Sequence, residues 1–480
     1  MPHRGTYDEG CIPQRAPQPI AREDMVTNKT TVPGPWDRLV SNHSEELAWT
    51  RRRREDVAPL ADPHGRMLGL ADIDGGTKSE ERRRLRQLSL GPTLGLLVDT
   101  LARQLLCDGV SRSGLTGNAD DNTDDLHAMW EPWEYAGLPT KQTALYRESL
   151  IDGAAYVVAL PGRPQPRLLP LPSSRVACGW GGDPSAEWPT EAALLDGAGN
   201  PWMYIDDTST VDPKTGDVTS THPAGVCPVV RFAPYQDLAG ACPGLVDRLR
   251  PAARRYVKTV NDRLLVQHNN SWRVRTATGL TDPGSPEEAE RQKAILEHAD
   301  ILTGGEGVQF GSLPETTMSS LLDAERADLG TLAALASVPS WALSGSQLVN
   351  LSADALAEAK SAERTHVDAI QRAYGRSIAS LLRLAQAQAG RRDLAGDYSL
   401  RVDWRDMEAR SLSQAADALG KLTQSLGVPA ELLWQRIPGV SPQEADEWRK
   451  WADQHPDALT QYAQALAPNQ GEGTDNPLKA

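Results

Sequence analysis

The chain has 480 residues, 39% of them hydrophobic, with two Phe, thirteen Trp and a formal charge of −14. Such a length exceeds the ~250–300 residues at which a single core stops growing, so several modest cores are expected, with much surface left for partners. The acid excess argues against a protein that clings to nucleic acid, though not against one past which nucleic acid must slide.

Five cysteines (Cys11, Cys107, Cys178, Cys227 and Cys242) are odd in number, scattered and never in C-x-x-C spacing. That usage predicts reduced thiols rather than a disulfide framework or a zinc site. No apolar run approaches the ~18 residues of a membrane span. Met1–Gly5 opens no apolar leader, so the expectation is a soluble protein made inside the cell, with no membrane partner.

Residues 1–34 carry Pro, Gly and charge without periodicity, and with residues 467–480 they read as tails. Trp36–Arg54 is predicted to be a helix ending in Arg51–Arg54. A second helix starts at Pro92, puts Leu94, Leu97, Val98, Leu101 and Leu105 on one face, and is expected to end at Asp108-Gly109. Leu138–Leu150 is a helix feeding the strand Gly153–Leu160, which Pro161-Gly162 terminates. Strands follow at Arg167–Leu171, Glu191–Leu195, Trp202–Ile205 and Val229–Phe232, with a hairpin turn at Asp212–Asp217. This block is predicted to be α+β with a mostly antiparallel sheet.

Pro243–His268 reads as a helix studded with Arg248, Arg250, Arg254, Arg255, Lys258 and Arg263 on more than one face. Some of these cations must meet solvent, a neighbouring subunit or DNA. Pro251 lies inside that segment, so the helix either begins there or bends. A strand at Trp272–Arg275, an acidic helix at Pro286–His298 and an extended Gly307–Phe310 lead to a helix at Met318–Ala336. Its apolar positions are Met318, Leu321, Leu322, Leu329, Leu332 and Leu335. The turn Ser337–Leu343 then enters a small polar loop, Ser344-Gly345-Ser346-Gln347, followed by Leu348-Val349-Asn350. After Ser352 as N-cap comes a helix to about residue 389, with Val367, Ile370, Tyr374, Ile378 and Leu381 as its packed seam. It should be ~55 Å long at ~1.5 Å per residue. The strand Arg401–Trp404 and helices at Leu412–Leu426, Ala430–Gln435 and Pro442–His455 complete the chain.

Catalytic signatures are missing: no phosphate loop, no H-E-x-x-H, no G-x-S-x-G and no dinucleotide fingerprint. Asp120, Asn122, Asp124 and Glu131 match four positions of a calcium loop, but Asp125 stands where that loop needs Gly; a solvated acidic loop is the better reading. Arg51–Arg54 and Arg82–Arg86 lie beside carboxylates and read as a solvated face or an intersubunit ion-pair strip rather than a nucleic-acid patch. Gly427–Leu433 between helices hints at a helix-turn-helix, but with Glu431 near its front it suits an ordinary helical bundle better.

Several stretches resemble, in the same order, the portal (head-to-tail connector) proteins of long-tailed double-stranded DNA bacteriophages. Arg147–Val158 is similar to that family's helix-to-strand passage. Val338-Pro339 and Asn350–Leu356 resemble the flanks of its tunnel loop, and Val402–Asp406 its C-terminal strand. Ala415–Leu419 and Ile437–Val440 look like parts of its crown. The resemblance covers roughly residues 36–465. It implies an α+β portal-like subunit with an α/β wing, helical stem, small mixed clip, long kinked helix and helical crown. On that map 1–35 is a disordered tail, 36–242 wing, 243–268 a stem helix, 269–314 clip and 315–338 the second stem helix. Residues 339–352 are the tunnel loop, 353–395 the long wing helix, 396–465 the C-terminal strand and crown, and 466–480 a second tail.

The resemblance further implies a ring of about twelve copies around a DNA channel at a capsid vertex, for genome packaging and ejection. Implied partners are double-stranded DNA in transit, held without sequence preference, the terminase large subunit, head-completion and adaptor proteins, and the major capsid protein and scaffold. No enzyme activity, metal or cofactor is implied; the location is the virion, after assembly in the host cytoplasm. The site residues are a tunnel loop of Leu343, Ser344, Gly345, Ser346, Gln347, Leu348, Val349 and Asn350, and a basic stem face of Arg248, Arg250, Arg254, Arg255 and Lys258. Rival readings are a hydrolase using the Asp120–Glu131 carboxylates and a channel-less adaptor or scaffold.

Overall fold

The computed structural model describes residues 34–57, 80–112, 119–271, 275–278, 285–287, 290, 309–312, 317–344, 353–405, 412–434, 437, 440 and 442–455. Helices α1 (Pro35–Val57), α2 (Glu80–Ser89) and α3 (Thr93–Ala102) precede strand β1 (Cys107–Arg112) and helices α4 (Ala119–Tyr135) and α5 (Leu138–Asp152). Strands β2 (Ala155–Leu160), β3 (Arg167–Pro172), β4 (Val176–Gly179), β5 (Glu191–Leu195), β6 (Pro201–Ile205), β7 (Ser209–Val211), β8 (Val218–Thr221) and β9 (Val229–Phe232) follow. Then come α6 (Leu245–Ser271), β10 (Arg275–Thr278), β11 (Gln309–Ser312), α7 (Ser319–Ala336) and the short α8 (Trp341–Ser344). The long helix α9 (Ala353–Gln388), α10 (Arg392–Ala395), β12 (Leu400–Trp404), α11 (Leu412–Leu426) and α12 (Pro442–Gln454) end the described chain. The α+β expectation holds.

Strand β2 is the centre of the body. It lies between β3 and β9 in an antiparallel sheet, and both its faces are covered. Ala155, Val157 and Ala159 face the helices, packing with α3, α5, α6 and α9 in the main core. Tyr156 and Val158 face the other way, onto Val176, Ala192, Leu194 and Ile205 of the second sheet, ordered β4-β5-β6-β7-β8. Helix α1 closes the far side of that sheet, where Trp36 and Leu39 pack on Ala177, Ala193 and Tyr204. Burial on both faces is why β2 carries a continuous apolar run rather than an alternating one.

Gly153 ends α5 at φ +85°, and a Cβ there would sit 1.9 Å from the Cys242 carbonyl oxygen. The turn therefore needs glycine both for its left-handed backbone and for the close approach of the segment entering α6.

The long helix buries its predicted seam: Val367, Ile370, Tyr374, Ile378 and Leu381 are all at most 6% exposed. Tyr374 stacks on Tyr146 at 4.8 Å, and Gln386 and Gln388 donate to the carbonyls of Ala128 and Ala159. Helices α6 and α7 run antiparallel, joined by Arg255–Asp328 at 2.6 Å and Arg263–Glu325 at 2.7 Å. Strands β10 and β11 pair antiparallel between them in sequence.

Some expectations are corrected. Helix α3 stops at Ala102; Leu105 stays fully buried through a turn beyond it, which prolonged the apolar period, and Asp108-Gly109 belong to β1, at a bulge. Strand β1 pairs with β12, nearly three hundred residues later, a partnership that local pattern does not encode. The acidic 120–131 segment is helix α4, not a loop, and a helical backbone does not wrap a cation as a calcium loop does. Ala430–Leu432 is a single 3-10 turn where a helix to Gln435 was expected. Strands β4, β7 and β8 are three or four residues long and were not anticipated. Helix α6 starts at Leu245 and passes through Pro251. Of the apolar positions of α7, Leu332 is buried, whereas Leu322 and Leu335 are 39% and 47% exposed. The tails, Trp272–Val274, most of 286–298, the side chains of Arg82–Arg84 and the Ser352 cap lie outside the described residues.

Candidate functional site

The segment predicted to form the mobile loop leaves the body at a fixed point. Helix α7 ends at Ser337, whose φ of +57° turns the chain so that Val338 drops into the main core. Helix α8 follows, with Leu343 packed against that core and Ser344 as its last residue. Gly345, Ser346, Gln347, Leu348, Val349 and Asn350 lie outside the described residues.

On the far side of the gap, α9 is clamped to the end of α7 by His366. Its Nδ1 lies 3.1 Å from the Ala336 carbonyl oxygen, and its Nε2 lies 2.8 Å from the Tyr235 hydroxyl. A carbonyl only accepts, so Nδ1 carries the proton and Nε2 accepts from Tyr235. Burial lowers the pKa of His366, outweighing the Ala336 hydrogen bond, and the nearby Arg248 lowers it further; the neutral ring is favoured. Burial also pushes the Tyr235 hydroxyl up to about 12. Farther along, Gln104 donates to Glu363 at 2.6 Å, tying α9 to the end of α3. Helix α9 is thus tied to the ends of α3 and α7 at Glu363 and His366, 13 and 16 residues past Asn350.

The five predicted stem cations do not form one open face. Arg250 pairs with Asp56, Arg255 with Asp328 at 2.6 Å, and Lys258 with Asp262 at 2.6 Å. The Arg248 guanidinium lies 5.1 Å from the centre of the Tyr235 ring, a cation–π contact. Arg248 and Arg254 are exposed and without an ion pair among the described residues.

Arg51–Arg54 also divide in a way the sequence did not reveal. Arg51 and Arg52 are exposed, but Arg53 and Arg54 turn inward. Arg53 reaches Glu46 at 2.6 Å, Asp247 at 2.8 Å and the Asp152 carbonyl at 2.9 Å. Arg54 reaches Glu148, and Asp152 at 2.9 Å. With Arg250 and Asp56 these groups join α1, α5 and α6 in one network of three guanidiniums and five carboxylates. The pairing is incomplete on both sides: one oxygen each of Asp56, Asp152 and Asp247, and the Arg54 Nε and one Arg250 Nη, are buried without a hydrogen bond. Burial, only partly offset by Arg54, pushes Asp152 up to about 6. The sign of charge at Arg53 was legible; its inward direction was not.

On α4, Asp124, His127, Trp130, Glu131 and Glu134 line a shallow hollow of about 540 Å³. Among the described residues no group of three or more His, Cys, Asp or Glu is placed to hold a metal. No described helix is long and apolar enough to cross a membrane.

The chain is thus an α+β body with an antiparallel helix pair, α6 and α7, followed by the long helix α9. The model of the family described as phage portal protein, SPP1 Gp6-like, matches residues 203–456. That is more than half of the chain, and the chain belongs to this family. No curated protein matches it. Among solved structures, a chain of the virion of the native gene transfer agent particle is similar at 16% identity and a TM-score of 0.47, covering 77% of this chain and 99% of that one. A chain from the neck of the native gene transfer agent particle, computed with C12 symmetry, is similar at 15% identity and a TM-score of 0.47, covering 73% and 94%. The HK97-family phage portal protein from Corynebacterium diphtheriae is similar at 12% identity and a TM-score of 0.36, covering 65% and 92%. Likeness at this level is one of outline.

Proposed function

We propose that the chain assembles into a closed ring of about twelve copies around an axial channel through which double-stranded DNA enters and leaves a capsid. The observation that carries this reading is the order of elements inside the family match: helix pair, then long helix. A translocating polymer needs many equivalent weak contacts and no deep well, and rotational symmetry supplies equivalence. Residues 36–242 with part of the long helix form the wing, 243–268 and 315–338 the stem, 269–314 the clip, 339–352 the tunnel loop and 396–465 the crown. In this reading Leu343–Asn350 is the loop that meets DNA, and His366 ties the helix that follows it to the end of α7. Because Arg250, Arg255 and Lys258 answer carboxylates of their own chain, the stem cations left to face DNA or a neighbour are Arg248 and Arg254. The clip docks the terminase motor and later the head-completion proteins, the outer wing meets the capsid and scaffold, and the ring resides at the capsid vertex.

Native mass measurement tests the ring. Twelve copies of the 52.0 kDa chain give about 620 kDa. A monodisperse monomer at micromolar concentration under every salt condition sinks the proposal. Deleting Gly345–Gln347 should leave the rings intact and impair DNA packaging or retention; unchanged packaging removes the loop from the channel.

A further inference from the structure

We propose that the outer face of the long helix α9 docks against helix α4 of a neighbouring copy, through Arg372 and Arg376 on one side and the Asp124–Glu131 carboxylates on the other. The inference rests on the ring reading and specifies which two surfaces meet. Along α9, the core seam uses Ile370, Tyr374 and Ile378, and the opposite side exposes Thr365, Ala369, Arg372 and Arg376. Neither arginine pairs with a carboxylate among the described residues; Arg372 only reaches the Asp368 carbonyl on its own helix. Arg53, Arg54, Arg112, Arg147, Arg250 and Arg383, by contrast, find carboxylates within their own copy. The small side chains of Thr365 and Ala369 beside them leave room for another helix to approach.

Helix α4 offers the complement. Met129 and Trp133 are fully buried on its inner side, while Asp124, His127 and Glu131 are exposed on the opposite side. Asp124 and Glu131 have no ion pair among the described residues. With Trp130 and Glu134 they line the shallow hollow, where a guanidinium can stack on an indole face and reach a carboxylate at once. Within one copy these faces cannot meet. Helix α4 touches α9 through its inner side, where Gln386 donates to the Ala128 carbonyl at 2.6 Å. That contact lies ten residues, ~15 Å along the helix, from Arg376. Two unlike faces that must meet between copies make a heterologous contact, the kind that closes a ring when repeated by rotation.

Charge reversal of the full-length protein, read by native mass and sedimentation, tests this. The wild type should form rings. R372E/R376E alone and D124R/E131R alone should each weaken assembly by roughly tenfold or more, as like charges then face each other at every interface. The chain carrying all four reversals should recover rings. So should an equal mixture of the two variants, because copies that alternate make every interface complementary. If the wild type forms rings and either pair assembles like it, this docking is wrong while the ring stands. Altered DNA retention in R372E/R376E rings of undiminished stability overturns the docking too, and turns the α9 arginines toward DNA. A failure of the four-reversal chain to recover, with the variant monomers folded by circular dichroism, also refutes it. A wild type that forms no ring removes both proposals.

Discussion

Replacing Arg53 with methionine keeps the length of the side chain and removes its charge from the junction of α1, α5 and α6. The Glu46 carboxylate is 42% exposed, so water recovers most of that pair and it contributes little. Asp247 is 25% exposed and keeps Arg250 at 3.6 Å as a second, weaker partner. The buried Asp152 carbonyl has no such reserve. Loss of these two charge-assisted bonds should cost about 3 kcal/mol. The loss falls on one attachment rather than on the whole body, because α1 meets the second sheet through Trp36 and Leu39 and meets α5 and α6 through this network. Amide hydrogen exchange over residues 35–57 should therefore accelerate by about 150-fold, with β2 and the seam of α9 little changed. Exchange within threefold of the wild type would falsify the view that Arg53 holds α1 in place, and uniform acceleration across all elements would show that the network supports the entire fold instead.

Two further outcomes follow from the same region. Asp152 has a folded pKa of about 6 against an ordinary 3.8. Its contribution to stability is thus fully present below the ordinary value and lost as pH rises through about 6, by at most ~1.4 kcal/mol per pH unit. Protection of α1 should weaken over that window in the wild type and lose this slope in Asp152→Asn; an identical slope in the variant assigns the titration to another group. Gly153→Ala should cost more than ~2 kcal/mol in chemical denaturation, from the left-handed backbone and the Cys242 carbonyl together, and a loss below ~0.5 kcal/mol refutes the close approach.

The sequence by itself determined the elements whose burial is strongly one-sided or complete. The long helix, the seam of α3 and the strand β2 are written in period and composition, since a side chain's partition between water and core depends on its own chemistry. The order of those elements was enough to suggest the portal family. Tertiary structure alone decided the pairings across distance: β1 with β12, the short strands of the second sheet, and His366 with Ala336 and Tyr235. It also decided what each cation does. Arg53 and Arg54 sit in a basic run that a solvated helix face would carry equally well, and Arg250, Arg255 and Lys258 look like an open patch when written as a string. Whether a charge meets water or a carboxylate depends on which elements pack beside it, and a guanidinium has the same composition in both settings. Arg372 and Arg376 are left facing outward for the same reason.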